Sequence, residues 1–230
     1  MTDGSNMAAL STILRKSFRA GMSTLTASNF TLRELIVSNF REESSLDNWT
    51  CTSDEIIGGK SRAELTRTKD GNASFCGQLS TELPPDKRNK HSGFCTMRLN
   101  PKMDRWGTTL NTDVSSYDVM QLRLRGDGRT YLVGFQPPGY NTDDMYQAFI
   151  YTSGGPFWEE ITIPFTKFIF TTAGYLQDRQ PTFHCYRTIG ISIMDRISGP
   201  FCLELDHIKL RETFYQPKYF VEHAGRDLDY

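Results

Sequence analysis

Hydrophobic positions along most of this chain recur with the period of a β-strand. Phe94-Cys95-Thr96-Met97-Arg98-Leu99 alternates, placing Cys95, Met97 and Leu99 on one face. Gln121-Leu122-Arg123-Leu124-Arg125 alternates in the same way. Tyr131 to Phe135, Tyr146 to Tyr151, Trp158 to Ile163, Phe168 to Phe170 and Ile189 to Met194 continue the series, each bounded by Gly, Pro, Asn or Asp. Between residues 49 and 210 no stretch shows a long helical period. Many short strands separated by turn residues predict an all-β sandwich or barrel, a jelly roll.

Two local features sharpen this expectation. Gly126-Asp127-Gly128 separates two strand patterns, and glycine adopts positive φ without steric cost, so a β-hairpin is predicted between Arg125 and Thr130. In the last strand, Phe201, Leu203 and Leu205 share one parity, while Ile208 and Leu210 have the other. A bulge near Asp206-His207 would return both halves to the core.

The ends read differently. Residues 7–28 carry Arg15, Lys16 and Arg19, no acid, and Leu10, Ile13, Leu14, Phe18 and Leu25 spaced for one helix face. A basic, Ser-rich, amphipathic stretch has the signature of a mitochondrial presequence. Asn39 to Asn48 is polar and acidic and reads as the entry to the folded part. The expected division is an N-terminal extension over 1–35, a β-sandwich over 36–212 and a polar tail over 213–230.

Composition narrows the function. The 230 residues carry a formal net charge of -1, and a near-neutral balance gives no electrostatic reason to bind nucleic acid, which is not an expected partner. No run of about 18 apolar residues is found that would span a bilayer as a helix. Five cysteines are scattered without a C-x-x-C pair, arguing against a zinc site and a disulfide framework. Cys76, Cys95 and Cys202 lie in apolar strand-like runs and read as buried free thiols.

Motifs that suggest chemistry give way to simpler readings. Gly59-Lys60-Ser61 resembles the end of a phosphate loop, but Asp54 stands where that pattern needs glycine, and strand residues follow where it needs a helix. Arg125-Gly126-Asp127 is an adhesion tripeptide, explained by turn chemistry. Ser192 lies mid-strand rather than in a nucleophile elbow, and Cys185 beside His184 is only a sequence neighbour. Glu159 and Glu160 are adjacent in a strand, so they point to opposite faces and cannot flank one bond. No catalytic, metal or cofactor site is expected. In the aromatic turn Gly154-Gly155-Pro156-Phe157-Trp158 the favoured expectation is that Trp158 caps the core, and the alternative is that Phe157 or Trp158 is exposed as an interface anchor. The connection from Gln136 to Met145 sets Tyr140 among Asn141, Asp143 and Asp144. That loop is too polar for core, and Tyr140, Asp143 and Asp144 are the remaining candidate partner-binding residues. The aromatic turn is expected to lie beside this loop.

An ordered set of stretches resembles the complex I intermediate-associated protein 30 family. It runs through Asn48-Trp49, Thr52-Ser53-Asp54, Ile57-Gly58-Gly59-Lys60-Ser61, Ser92-Gly93-Phe94-Cys95, Leu124 to Arg129, Gly154 to Trp158 and Ile163-Pro164-Phe165. Ile189-Gly190 and Gly199-Pro200-Phe201 follow, before Glu204, Asp206 and Ile208. The resemblance covers about residues 40–210. It implies a galactose-binding-like jelly-roll β-sandwich and a non-enzymatic chaperone that helps build the membrane arm of respiratory complex I. It further implies a location on the matrix side of the mitochondrial inner membrane, peripheral to it. The implied partners are complex I subunits in assembly intermediates and other assembly factors, including an acyl-CoA dehydrogenase relative; no cofactor is implied. The alternative on the same fold is a carbohydrate-binding module, which stacks sugar rings on exposed aromatics.

Overall fold

Each alternating run forms a strand because it offers apolar side chains at every second position, which a pleated sheet buries on one side. A computed structural model of the chain describes residues 32–83 and 92–213. Fifteen strands follow in chain order. The first five are β1 (Glu34–Asn39), β2 (Trp49–Ser53), β3 (Arg62–Arg67), β4 (Ala73–Leu79) and β5 (Cys95–Leu99). The middle five are β6 (Thr112–Asp113), β7 (Val119–Arg125), β8 (Thr130–Gln136), β9 (Asp144–Tyr151) and β10 (Glu159–Pro164). The last five are β11 (Ile169–Thr172), β12 (Tyr175–Leu176), β13 (Cys185–Tyr186), β14 (Thr188–Ile193) and β15 (Gly199–Arg211).

The first sheet has the order β10-β7-β15-β4-β3, with β1 paired to β15 as well; the second runs β12-β11-β9-β8-β14-β5-β2. All these pairings are antiparallel. The inner faces meet in one core. Phe75, Leu122, Leu124, Leu203 and Leu205 from the first sheet join Met97, Val133, Phe135, Ile150 and Ile191 from the second. Phe135 anchors an aromatic cluster with Phe165, Phe168, Phe183 and Tyr186, their ring centroids 4.6–5.8 Å from its own. The chain is an all-β jelly-roll sandwich.

The phase shift in the last strand is a bulge where the apolar parity places it. The register of β15 on β7 slips between Leu205 and His207, so Leu203, Leu205, Ile208 and Leu210 are all buried. The predicted hairpin at Gly126-Asp127-Gly128 is not one. β7 lies in the first sheet and β8 in the second, so the turn is an arch between sheets. The local chemistry is as expected, with Gly128 at φ +88°. The pairing differs because β7 finds β10 and β15 as neighbours, while β8 pairs with β9 and β14.

Two further expectations are corrected. Cys76 and Cys202 are not buried free thiols. Cross-strand register sets them opposite each other on β4 and β15, half-buried, with their sulfurs at the bonding distance of 1.97 Å. Their separation of 126 residues hid that contact from the sequence. Cys51, Cys95 and Cys185 are free, and burial pushes the Cys95 thiol up to about 12. The described fold also takes in Glu34 and Leu35, which a boundary at residue 36 assigns to the extension; both pair with the end of β15. The basic stretch 7–28 and the tail from 214 lie outside the described residues.

Candidate functional site: the outer faces of the two sheets

The bulge positions a charge cluster on the first sheet. The extra residue turns Asp206 out of the alternating pattern, and only 3% of it remains exposed. Its carboxylate accepts from Arg41 Nε at 2.8 Å and Nη2 at 3.1 Å, and Arg123 Nη1 lies 3.1 Å away. His207 Nδ1 is 3.9 Å from the same carboxylate, too far for a hydrogen bond. Burial holds the His207 pKa below its ordinary value, with the Lys209 charge adding to the effect. Beside the cluster, Arg125 grips Glu204 through two bonds of 2.8 and 2.6 Å.

Trp158 is half-buried on this face rather than in the core. The guanidiniums of Arg123 and Arg125 sit 5.8 and 5.3 Å from its ring centroid, a cation–π arrangement. Phe157, its neighbour, is 81% exposed. Glu159 accepts from the Ser153 amide and hydroxyl, whereas Glu160 accepts from Gln121. The two carboxylates thus serve different neighbours, as strand alternation requires.

On the second sheet a groove runs across the strands. Thr96, Arg98, Gly134, Gln147, Gly190 and Ser192 form its floor, with Thr142, Asp143 and Met145 on the rim. Gly134 and Gly190 are paired across β8 and β14, so the floor lacks side chains at its centre. Thr142 and Asp143 of the rim belong to the loop between β8 and β9, and Met145 lies at the start of β9. There Tyr140 is fully exposed, and the Asp143 side chain is exposed too. Asp144 differs from both: its Oδ1 accepts from Thr172 Oγ1 at 2.7 Å and Asn141 Nδ2 at 2.9 Å, so it holds the loop in place.

The structure therefore divides the five candidate contact residues. Tyr140, Asp143 and Asp144 stand at one end of β9; Phe157 and Trp158 stand past the other. A strand of eight residues separates its ends by roughly 25 Å. The aromatic turn instead lies against the inter-sheet arch, where a Cβ on Gly154 would come 3.1 Å from Gly128 N. The expected neighbourhood of the two loops is overturned because β8 and β9 form a hairpin and its two ends face away from each other.

Motifs set aside in the sequence have structural roles. The Gly59–Ser61 loop does cradle an anion, but an internal one: buried Asp54 accepts from Ser61 N at 2.8 Å, Ser61 Oγ at 3.0 Å and Gly93 N at 2.6 Å. A Cβ on Gly59 would collide with that carboxylate at 2.2 Å. Asp127 of the adhesion tripeptide accepts from Cys202 N at 2.7 Å and the Tyr131 hydroxyl at 3.1 Å, tying the arch to β15. Among the described residues no three His, Cys, Asp or Glu side chains are grouped to hold a metal. No described helix is long and apolar enough to cross a membrane.

Comparison with known proteins then decides the family. The family profile described as Complex I intermediate-associated protein 30 matches residues 38–205, most of the sandwich just described. The chain belongs to that family. It is 35% identical over 195 residues to the Mus musculus protein named Complex I intermediate-associated protein 30, mitochondrial, which covers 82% of this chain. It is 34% identical over 205 residues to the Drosophila melanogaster protein of the same name, covering 81% of this chain. The chain spans 58% of the mouse protein and 69% of the fly protein. Solved structures with a similar fold include a family 11 carbohydrate-binding module of Clostridium thermocellum, determined in complex with a mixed-linked tetrasaccharide. It superposes with a TM-score of 0.50 at 18% identity, covering 77% of this chain and 94% of the module. At that identity the likeness concerns the sandwich alone. The groove of the second sheet is the feature of this family member that sequence reading missed. Its available signal was a glycine in the middle of each of two strands, since interior strand glycines mark close approach.

Proposed function

We propose that this chain is a non-enzymatic assembly factor for mitochondrial respiratory complex I, acting by presenting surface to unfinished intermediates of the membrane arm. The observation that carries this reading is the family match across residues 38–205. The names of the mouse and fly relatives supply the mitochondrial setting, and the matrix side of the inner membrane is the compartment we propose. Complex I subunits and other assembly factors, including an acyl-CoA dehydrogenase relative, are the proposed partners. Exposed Tyr140 and Phe157, with Asp143, Asp144 and Trp158 beside them, are proposed contact residues, because exposed aromatics dominate interface energetics.

The test is complementation. Cells lacking the endogenous relative receive this chain, and mature complex I is measured on native gels together with co-purifying subunits. Restored complex I and recovery of membrane-arm subunits are expected. Unrestored complex I, with the chain folded and imported, would refute the reading. Recovery that survives replacement of His184 and His207 together supports a role without chemistry.

A further inference from the structure

Arg41, Arg123, Arg125 and Arg129 each have a carboxylate partner. Asp206 serves Arg41 and Arg123, Glu204 serves Arg125 and Asp195 serves Arg129. Two others are treated differently: Arg98, which lines the groove of the second sheet, and Arg187, which immediately precedes β14 and whose charge is felt at Arg98. Arg98 donates to the neutral side-chain oxygen of Gln136. Arg187 Nη2 reaches the Gly139 carbonyl at 3.4 Å, and its buried Nε has no hydrogen-bond partner. Among the described residues neither has a carboxylate within ion-pair distance; Asp143, on the rim, pairs with neither.

The lie of the strands explains how this cationic end arises. Arg98, Gly190, Gly134 and Gln147 stand side by side on β5, β14, β8 and β9. Gly190 has no side chain, so Arg98 extends across β14 to reach Gln136 on β8. Lost hydration lowers the Arg98 pKa, and the nearby Arg187 charge lowers it further. A desolvated pair of like charges is costly until an anion joins it. A carboxylate suits a guanidinium best because two parallel N–H bonds match its two oxygens.

The other end of the same face is apolar. Phe149 and Tyr151 follow Gln147 on β9, 52% and 70% exposed, with rings stacked 6.0 Å apart. Phe149 lies three strands and two residues from Arg98, roughly 15 Å away, or about four or five residues of extended chain.

We propose that this face docks an extended polypeptide segment of a partner protein, its carboxylate held by Arg98 and Arg187 and an apolar side chain about four residues away set against Phe149 and Tyr151. The proposal deepens the assembly-factor reading and rests on it for the presence of a protein partner. The charge of the groove selects the acid, and the aromatic ledge selects a polypeptide over a free anion.

The experiment titrates the purified, isotope-labelled chain with the peptide acetyl-Glu-Ala-Ala-Ala-Leu-amide and follows backbone amides by NMR. Shifts are expected at Gly134, Gly190 and Phe149. Replacing the peptide's Glu by Gln should weaken binding about tenfold or more, as should the Arg98→Gln/Arg187→Gln double variant. Thermal unfolding checks that the double variant is folded; if it is not, the exposed Phe149→Ser variant decides, and it should also weaken binding. Absence of those shifts, equal binding of the Gln peptide, or undiminished binding by the variants overturns the proposal. Equivalent shifts from inorganic phosphate or cellotetraose at the same concentration overturn it too, in favour of an anion or sugar site. In cells, full complementation by the double variant removes this surface but leaves the assembly role standing. Failure of the unaltered chain to complement strikes the role itself, while the peptide titration still judges the surface.

Discussion

On the outer face of the first sheet, charge meets charge. Asp206 sits between Arg41 and Arg123, Glu204 accepts two bonds from Arg125, and Glu34 lies 3.0 Å from Lys209 and 3.6 Å from Arg211. The outer face of the second sheet is built from Thr, Ser, Gln and Gly around Arg98, which has no carboxylate partner among the described residues, with exposed aromatics alongside. Both faces belong to one sandwich over one core, so core packing did not dictate the difference. A face whose polar groups satisfy one another supports stability, whereas a face with unmet charge is free to satisfy a partner. The contrast predicts that substitutions on the first face act on folding and those on the second act on binding.

The strongest test removes the centre of the paired face. Asp206→Ala strands two guanidiniums around a buried position, and since both arginines keep some solvent access, a loss of about 2–3 kcal/mol is expected by urea unfolding. A loss under about 0.5 kcal/mol, the scale of an ordinary surface change, would show that ion pairing does not hold this face.

Next in size is the arch that carries the chain from one face to the other. Gly128 has φ +88°, which a β-branched residue adopts only under strain. Gly128→Val is expected to cost about 1–3 kcal/mol, read from the same unfolding curves. Unchanged stability would mean that the arch is not held in this conformation.

A pH series probes the pair that ties this arch to the strand end before β15. Arg129 bonds Asp195 at 2.9 and 2.6 Å, both side chains being nearly buried. Burial disfavours the Asp195 charge, but the Arg129 bond, the Ile197 amide and the guanidinium charge outweigh it, and its pKa is lowered. A carboxyl with a lowered folded pKa contributes stability above its unfolded value of about 4, lost as pH falls through the folded value. Unfolding free energy should therefore fall on acidification below about pH 4, and Asp195→Asn should flatten part of that slope. An unchanged slope would assign the acid sensitivity to other carboxylates.

The smallest effects belong to the open face. A Cβ at Gly134 meets the Met145 methyl at 2.8 Å, the movable end of a flexible side chain. Gly134→Ala and Arg98→Gln should each change stability by less than about 0.5 kcal/mol. A loss above about 1 kcal/mol for Arg98→Gln would show that the guanidinium is structural and close the gap between the two faces.

The sequence alone determined what depends on period and parity. The run Phe94 to Leu99 specified a strand with Cys95 and Met97 inward, and the switch of parity between Leu205 and Ile208 located a bulge to within a residue. An inward-facing strand position has only one face on which to be apolar, so such information is local and legible. Likewise, the turn residues at Gly126 to Gly128 revealed a backbone with positive φ. What they did not reveal was which strand each arm would pair with, because pairing depends on neighbours distant in sequence: β10 and β15 for β7, β9 and β14 for β8. The contact of Cys76 with Cys202 and the sharing of Asp206 by Arg41 and Arg123 are of the same kind. So is the alignment of Gly134 with Gly190 that opens the groove. Each residue there is unremarkable in its own stretch. Only the cross-strand register, set by burial of the opposite face, brings the members together and decides which charges are answered by a neighbouring carboxylate.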